Sequence, residues 1–361
     1  MRSISIYRAN AVLLFAILSF YALYHARTFF IPLFFAILLA MLLAPVSRKL
    51  ENWGINRIGA TFICMLLFLL FIAAIFGIIA AQAASLAEDL PQIQKKFQQL
   101  LDGLQSWIES QFGVAPERQI TILKSQVSKF LESPGKSVSA TLSGIMGLGT
   151  GFVLVLLYFF FLMWKREKYE EFFLKLVSDE NRPIVKKELK DINRVASQYL
   201  IGRLISMAFL AIFYAIGFSV VGLKNGLLLS LIAVIPTIIP YIGSFIGGFF
   251  PLMMALVTGS PGMLLPVVII LILAQVIDNN IIEPIVEGES LDISPIFTIV
   301  AIVVGELTWG LAGVILFVPM FAVIKIICDH IPALHPYAFL LDNDTEEPAW
   351  VEKIKGLFGK K

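Results

Sequence analysis

Charged residues are scarce in this chain of 361 residues: they make up only 15% of it, whereas 58% of the residues are hydrophobic. A soluble domain carries about 25% charged and about 45 to 50% apolar residues. So much apolar surface cannot be buried in one water-soluble core of this size, and the composition therefore predicts an integral membrane protein in contact with the lipid bilayer. The 28 basic and 26 acidic residues are largely interleaved, so the net charge of +2 does not indicate a nucleic-acid partner.

Cysteine and histidine are equally scarce, with two and three residues. Cys64 and Cys328 lie in apolar runs, which excludes a disulfide framework and a cysteine-based zinc site. The histidines have no metal-ligand spacing. Phe130 stands where a phosphate-binding loop requires its leading glycine, so that motif is incomplete. Since the sequence also has no arrangement of nucleophile, base and oxyanion donors, we expect no metal, no cofactor and no enzyme activity.

The long apolar runs indicate the fold class. A helix needs about 20 residues to cross a hydrocarbon core of about 30 Å. By that measure the chain is an all-α polytopic membrane protein with about eight membrane-level segments. These segments cover approximately residues 10–26, 28–46, 58–82, 140–164, 203–222, 226–258, 261–283 and 297–327.

Two stretches between the apolar runs have a helical period. From Ser85 to Phe112, apolar residues recur every three or four positions, and a second such pattern ends at Pro134. We predict an extramembrane helical hairpin there. Between Lys165 and Arg203, an apolar stripe predicts helices that lie on the membrane or on neighbouring helices, with a dedicated partner site as the alternative.

The predicted organisation has six regions, and the distribution of basic residues sets its orientation. Residues 165–203 contain ten basic and seven acidic residues, whereas residues 85–137 contain six of each. By the positive-inside rule the amino terminus is cytoplasmic and the insertion lies outside. Continued alternation places the acidic loop at 287–292 outside and the tail after Asp342 inside. The regions are the first three transmembrane helices (1–82), an extracytoplasmic amphipathic insertion (83–139), the fourth transmembrane helix (140–164), cytoplasmic amphipathic helices (165–202), a core with proline-broken segments (203–327) and a cytoplasmic tail (328–361).

The sixth apolar segment is too long for one straight span, and Pro236 and Pro240 interrupt it, with Gly243 following. A proline removes a backbone donor, so a broken helix is tolerated in a membrane only where protein or a watery cavity covers it. Such helices form substrate and ion sites in secondary transporters. The alternative is a proline kink in which Gly243 and Gly247 form a close packing face.

A polar run follows in the seventh segment. It contains Gln275, Asp278, Asn279, Asn280 and Glu283, and it is followed by Pro284 and later by Pro295. On an α-helix, Gln275, Asn279 and Glu283 share one face and Asp278 lies beside it. Their oxygens can coordinate a cation, accept a proton or bind a polar solute. The alternative is an ordinary helix end at which Pro284 stops the helix.

Glu306 is an acidic residue within the last long apolar run. A charge at that depth costs on the order of 2.5 to 3.5 kcal/mol on insertion scales, so we expect this side chain to face the helix bundle and to be protonated or paired. Together with the broken segment, these residues predict secondary transport driven by an ion gradient. Pro236, Pro240 and Gly243 would form the hinge, and Asp278, Glu283 and Glu306 would carry the cation or proton. A membrane scaffold or regulator is the alternative from another class.

Several of these motifs resemble the autoinducer-2 exporter family of bacterial permeases. They are the proline-broken run from Val234 to Gly243, the run from Asp278 to Gly288, the turn from Leu291 to Pro295, and the glycines from Gly305 to Gly313 with Pro319. The resemblance implies a bacterial inner-membrane protein of about eight spans that forms a homo-oligomer. It also implies export of a small polar signalling molecule or metabolite, or sodium/proton antiport. Arg203 departs from the glutamine expected after Gly202.

Overall fold

The regular structure is helical wherever the computed structural model describes it, apart from one isolated antiparallel bridge between Ile293 and Asp342. This confirms the all-α fold class.

The described residues are 6–112, 149–239, 242–258, 262–286, 293–330 and 334–342. The α-helices are α1 (Ile6–His25), α2 (Arg27–Asn52), α3 (Arg57–Phe112), α4 (Gly149–Trp164), α5 (Arg166–Lys175), α6 (Arg182–Val221), α7 (Gly226–Val234), α8 (Ile242–Thr258), α9 (Leu264–Ile277), α10 (Glu283–Val286), α11 (Pro295–Trp309), α12 (Leu311–His330) and α13 (His335–Leu341). Short 3-10 segments cover Asp179–Asn181 and Ile235–Ile238, and a π-helical turn covers Asp278–Ile282.

Several helices are long and apolar enough to cross a membrane. Within the described residues there are five: Arg27–Asn52, Arg57–Ala81, Asp179–Val221, Leu264–Val286 and Leu311–Asp329. A sixth is added if α4 and α5, which meet at a bend of 70°, form one span. Three shorter apolar helices cover Gly226–Ile238, Ile242–Val257 and Pro295–Trp309. The chain is therefore a polytopic membrane protein, but the predicted count of eight spans is not confirmed.

Two predicted boundaries fall inside continuous helices. α3 has 56 residues, a length of about 84 Å, and joins the predicted span at 58–82 to the amphipathic stretch that follows. α6 has 40 residues and likewise joins an amphipathic stretch to the predicted span at 203–222. In both places the composition changes while the backbone hydrogen bonding of the helix continues. The second helix of the predicted insertion lies outside the described residues.

The chain divides into two compact units. The first contains Met1–Leu67, Thr150–Arg203 and Pro284–Lys361, and the second contains Phe68–Gly149 and Leu204–Glu283. In the second unit, α9 packs on α6 in the antiparallel direction. A Cβ added to Gly217 would lie 2.7 Å from the Ile270 side chain, and one added to Gly222 would lie 3.8 Å from Met263. The end of α6 and the start of α9 therefore lie together.

The proline-broken segment at 226–258 is a helical hairpin. A Cβ on Gly247 would lie 1.9 Å from the carbonyl oxygen of Ala233. Residues 14 positions apart in one helix are separated by about 21 Å, so this contact requires a reversal of the chain. The reversal follows the 3-10 segment at Pro236, after which Ile239 has an extended backbone. Gly243 and Gly247 form the close packing face that was the predicted alternative.

The last apolar run is also a hairpin, in the first unit. α11 and α12 are joined at Gly310, whose φ of +61° favours glycine. A Cβ on Gly313 would lie 1.9 Å from the carbonyl oxygen of Gly305, so only glycine permits this approach. The Trp309 and Phe317 rings pack edge to face, with centroids 5.2 Å apart. The predicted single segment at 297–327 is therefore two helices.

The start of α11 contacts the residues that follow α13. The backbone N–H of Ser294 donates to the carbonyl of Leu341 at 2.8 Å, beside the bridge between Ile293 and Asp342. The start of α11 and the end of α13 thus lie at the same end of the unit. The predicted sides of the acidic loop at 287–292 and of the tail after Asp342 concern residues outside the described ranges and stay predictions.

Candidate functional site

The polar run of α9 contains a widened helical turn. α9 continues into the π-helical turn at Asp278–Ile282 and then into α10, so the helical run reaches Val286. The backbone N–H of Glu283 donates to the carbonyl of Asp278, five residues earlier. Pro284 does not stop the helix, contrary to the predicted alternative. π-helical turns are rare and are frequent at functional sites.

Asp278 is buried at this turn, with 2% of its side chain exposed. The hydroxyl oxygen of Ser206 in α6 lies 2.8 Å from each of its two carboxylate oxygens. Ser206 is itself fully buried. A hydroxyl stabilises a carboxylate through a charge-assisted hydrogen bond but adds no positive charge. The pair thus places an ionisable group inside the packed part of the second unit.

A second polar contact lies two turns further along α6. The amide nitrogen Nε2 of Gln275 donates to the hydroxyl oxygen of Tyr214 at 3.0 Å. Ser206, Leu210, Tyr214 and Phe218 recur every four residues, and all are buried. This spacing puts two hydroxyl groups on the face of α6 that packs against α9. Sequence reasoning missed Ser206 and Tyr214, although two polar residues on one face of an apolar helix are a detectable signal.

The remaining polar residues of the run point elsewhere. Asn279 and Asn280 are exposed, and the Asn280 amide donates to the backbone carbonyl of Val276 at 2.8 Å. Glu283 is half-buried. The three residues predicted to share a face, Gln275, Asn279 and Glu283, thus differ in exposure. Gln275 and Asp278 contact α6 instead, and the π-helical turn changes the phase of the residues after it.

The α7–α8 hairpin belongs to the same unit as Asp278. Gly226 at the start of α7 packs on Phe218 near the end of α6, where a Cβ would lie 3.2 Å away. Ala233 of α7 lies in one buried apolar cluster with Tyr214 of α6 and Ala274 of α9. Pro236 lies in the 3-10 segment that follows α7; Pro240 lies outside the described residues.

Two predicted site residues belong to the first unit. Glu306 lies on the last turn of α11, and its backbone carbonyl accepts the N–H of Gly310 at 2.8 Å. Its side chain is exposed, so the expectation that it faces the bundle is wrong within this chain. Gly305 takes the contact with α12, and the next residue points about 100° away around the helix. Pro295 is the first residue of α11, a position that suits proline.

Comparison with known proteins identifies the family of this chain. A sequence model described as AI-2E family transporter matches residues 11–333. The chain belongs to this family. It is 29% identical over 315 residues to "Putative transport protein YueF" of Bacillus subtilis (strain 168), covering 82% of this chain and 83% of the relative. It is 28% identical over 323 residues to "Putative permease PerM" of Escherichia coli (strain K12), covering 88% and 91%.

Membership of the AI-2E family confirms the predicted resemblance and makes the chain a multi-pass membrane permease. Within the described part of this transporter, no group of three or more histidine, cysteine, aspartate or glutamate side chains could hold a metal ion. Asp278 contacts the hydroxyl of Ser206 on the adjacent helix α6. A single carboxylate with hydroxyl and amide neighbours can accept a proton or bind one hard cation through oxygen ligands.

Proposed function

We propose that this transporter is a secondary permease of the bacterial inner membrane, with its amino terminus in the cytoplasm. It exports a small polar signalling molecule or metabolite in exchange for protons or sodium ions, and it works as a homo-oligomer in the bilayer. The observation that carries the proposal is the buried pair of Asp278 and Ser206 in a membrane-crossing helix.

A charged carboxylate inside a membrane span is energetically unfavourable. Acidic residues inside membrane spans cost several kcal/mol when they are charged, and they mark ion and proton pathways. Asp278 lies on the candidate span Leu264–Val286, whose helix is otherwise strongly apolar before the polar run. Asparagine or leucine would pack there at lower cost. The carboxyl group therefore serves a purpose that depends on its charge, which is coupling to a proton or cation.

The α7–α8 hairpin in the same unit supports movement of a solute past this group. Its backbone is irregular at the 3-10 segment around Pro236, and irregular backbone inside a membrane must line a cavity or be covered by protein. Broken helices at mid-membrane depth form the substrate sites of many secondary transporters. In this proposal the tip carries the solute and Asp278 carries the coupling ion.

The test uses purified wild-type protein in lipid vesicles and compares it with the Asp278→Asn variant. Ion-coupled flux of small polar metabolites, and sodium/proton exchange without added solute, are measured in the same preparation. We expect Asp278→Asn to lower coupled flux at least about 100-fold, the range of a missing proton-transfer group. The matched control is Asp329→Asn, which removes an exposed carboxylate of α12 and should retain full flux.

The outcomes separate the candidate functions. Flux that requires an added solute identifies a permease, and exchange without solute identifies a sodium/proton antiporter. Full coupled flux in folded Asp278→Asn would overturn the role of this residue. A folded wild-type protein that moves no ion or solute would favour a membrane scaffold instead.

A further inference from the structure

A cleft in the first unit lies where two membrane-crossing helices end. It has a volume of about 720 Å³ and is lined by the start of α3 and by the junction of α4 with α5. Arg57 is the first residue of one candidate span, and Trp164 is the last residue of α4. The Phe62 and Phe160 rings, one turn into each helix, pack with centroids 5.1 Å apart. The cleft is therefore at the level of the bilayer surface.

α5 leaves this junction in the direction expected of a helix at a membrane surface. It meets α4 at 70°, and Arg166–Lys175 alternates charged and aromatic residues. Phe172 is 56% exposed and Leu176 directly after the helix is 67% exposed, with Tyr169 and Phe173 also exposed. Apolar side chains exposed on a helix perpendicular to a span are suited to the interface between headgroups and acyl chains.

The acidic groups of the cleft already have basic partners. Glu167 accepts a hydrogen bond from the guanidinium of Arg57, which lowers the pKa of Glu167 below its ordinary value. Glu171 pairs with Lys175 at 2.8 Å, and the hydrogen bond from that lysine lowers the pKa of Glu171. Both carboxylates are thus charged at neutral pH and are neutralised within the protein.

Two further ammonium groups line the same cleft. Among the described residues, no acidic side chain forms an ion pair with Lys165 or Lys168, which both line the cleft and are exposed. The Lys165 nitrogen lies 3.8 Å from the centroid of the Trp164 ring, a cation–π contact that holds it beside the apolar wall. Ile58, 42% exposed, forms the other apolar part of the wall.

We propose that this cleft binds the phosphate headgroup of an anionic phospholipid, through Lys165 and Lys168, with the upper part of an acyl chain along Ile58 and Trp164. Basic pockets between spans bind anionic headgroups at this level of the bilayer. A free phosphate would use the cations but not the apolar wall, which continues into the exposed side chains of Phe62 and Phe161. The combination of charge and apolar wall matches a lipid. The site is separate from Asp278 and independent of the transported solute.

The experiment measures lipid retention by the purified full-length protein. The protein in neutral detergent is titrated with phosphatidylglycerol or phosphatidylcholine, and bound lipids are counted by native mass spectrometry. We expect preferential retention of phosphatidylglycerol, and a loss of affinity of about 25-fold in Lys165→Gln/Lys168→Gln, since each lysine near an anionic surface contributes about fivefold. The control Lys187→Gln/Lys190→Gln removes two exposed charges of α6 outside the cleft and should bind as the wild type does.

Three results would overturn the proposal. They are equal retention of the two lipids by the wild type, an equal loss of lipid affinity in the cleft and control variants, and displacement of the lipid by millimolar inorganic phosphate, which would indicate a free-anion site.

Two further variants separate binding from folding. Lys165→Arg/Lys168→Arg keeps both charges and should keep the preference for phosphatidylglycerol. Lys168→Gln changes one exposed side chain and should still lower the affinity severalfold.

Discussion

The hydroxyl of Ser206 lies 2.8 Å from both carboxylate oxygens of Asp278, although 72 residues separate the two in the chain. Both side chains are buried between α6 and α9. The contact joins Asp278, which the sequence analysis identified, to Ser206, which it did not. It also fixes the register of two antiparallel helices.

Removing this hydroxyl should strengthen binding of a coupling proton, because the hydroxyl stabilises the charged form of the carboxylate. A hydrogen bond to a charged group contributes about 1.5 to 3 kcal/mol, so Ser206→Ala should raise the apparent proton affinity at least about tenfold in vesicle flux assays. Ser219→Ala is the matched control, because that exposed hydroxyl donates only to the backbone of Ala215 in the same helix. Equal ion affinities in the wild type and both variants would contradict the role of Ser206.

Replacing a hairpin glycine should destabilise the second unit. A Cβ at position 247 would lie 1.9 Å from a backbone carbonyl, so Gly247→Ala forces α7 and α8 apart. Overpacking of this kind typically costs about 1 to 3 kcal/mol, and a lower melting temperature in detergent should report it. In Gly248→Ala the added methyl meets only the Leu271 side chain at 3.6 Å, so its melting temperature should match that of the wild type.

The bridge between Ile293 and Asp342 predicts a specific cross-link. In a background with Cys64→Ala and Cys328→Ala, the pair Ile293→Cys and Asp342→Cys should form a disulfide under mild oxidation, because these residues form a β-bridge. The pair Ile293→Cys and Leu311→Cys spans the length of α11 and should not react. Gel mobility with and without reductant measures both. Absence of the first cross-link, or formation of the second, would contradict this contact.

The ion pair between Arg57 and Glu167 predicts a dependence of stability on pH. The pKa of Glu167 is lowered below its ordinary 4.5 by the Arg57 hydrogen bond, so the carboxylate stabilises the fold above pH 4.5. That contribution disappears as the pH falls through the lowered pKa. Glu167→Gln should therefore melt below the wild type at neutral pH, and the difference should vanish in strong acid. A difference that is constant with pH would contradict the pairing.

The sequence predicted composition-driven features better than chain reversals. Membrane spans follow from apolar runs, and Asp278 was recognisable because it is acidic and follows a long apolar stretch. The two hairpins were missed because a hydropathy window cannot distinguish one long helix from two that fold back on each other. That distinction depends on close backbone contacts such as Gly305 with Gly313, and on the positive φ of Gly310.

The site was predictable only in part for a similar reason. In a regular α-helix, Asn279 lies one turn after Gln275. The π-helical turn at Asp278 changes the angular position of the residues that follow it around the helix axis, and residue spacing alone does not predict that turn. Ser206 and Tyr214 lie on a different helix, and pairing between helices requires a known register. Because its neighbours in the sequence are apolar, Glu306 was predicted to face the helix bundle. In the structure Gly305 contacts α12, and the Glu306 side chain is exposed.

Infrared difference spectroscopy of the purified transporter tests the central claim most directly. Spectra are recorded as the pH is stepped between mildly acidic and alkaline values, with and without sodium. The account predicts one buried carboxyl group that gains or loses its proton over this range or on addition of sodium. Its band should be absent from Asp278→Asn and present in Asp329→Asn. An unchanged band in Asp278→Asn would show that another group carries the proton and would contradict the account.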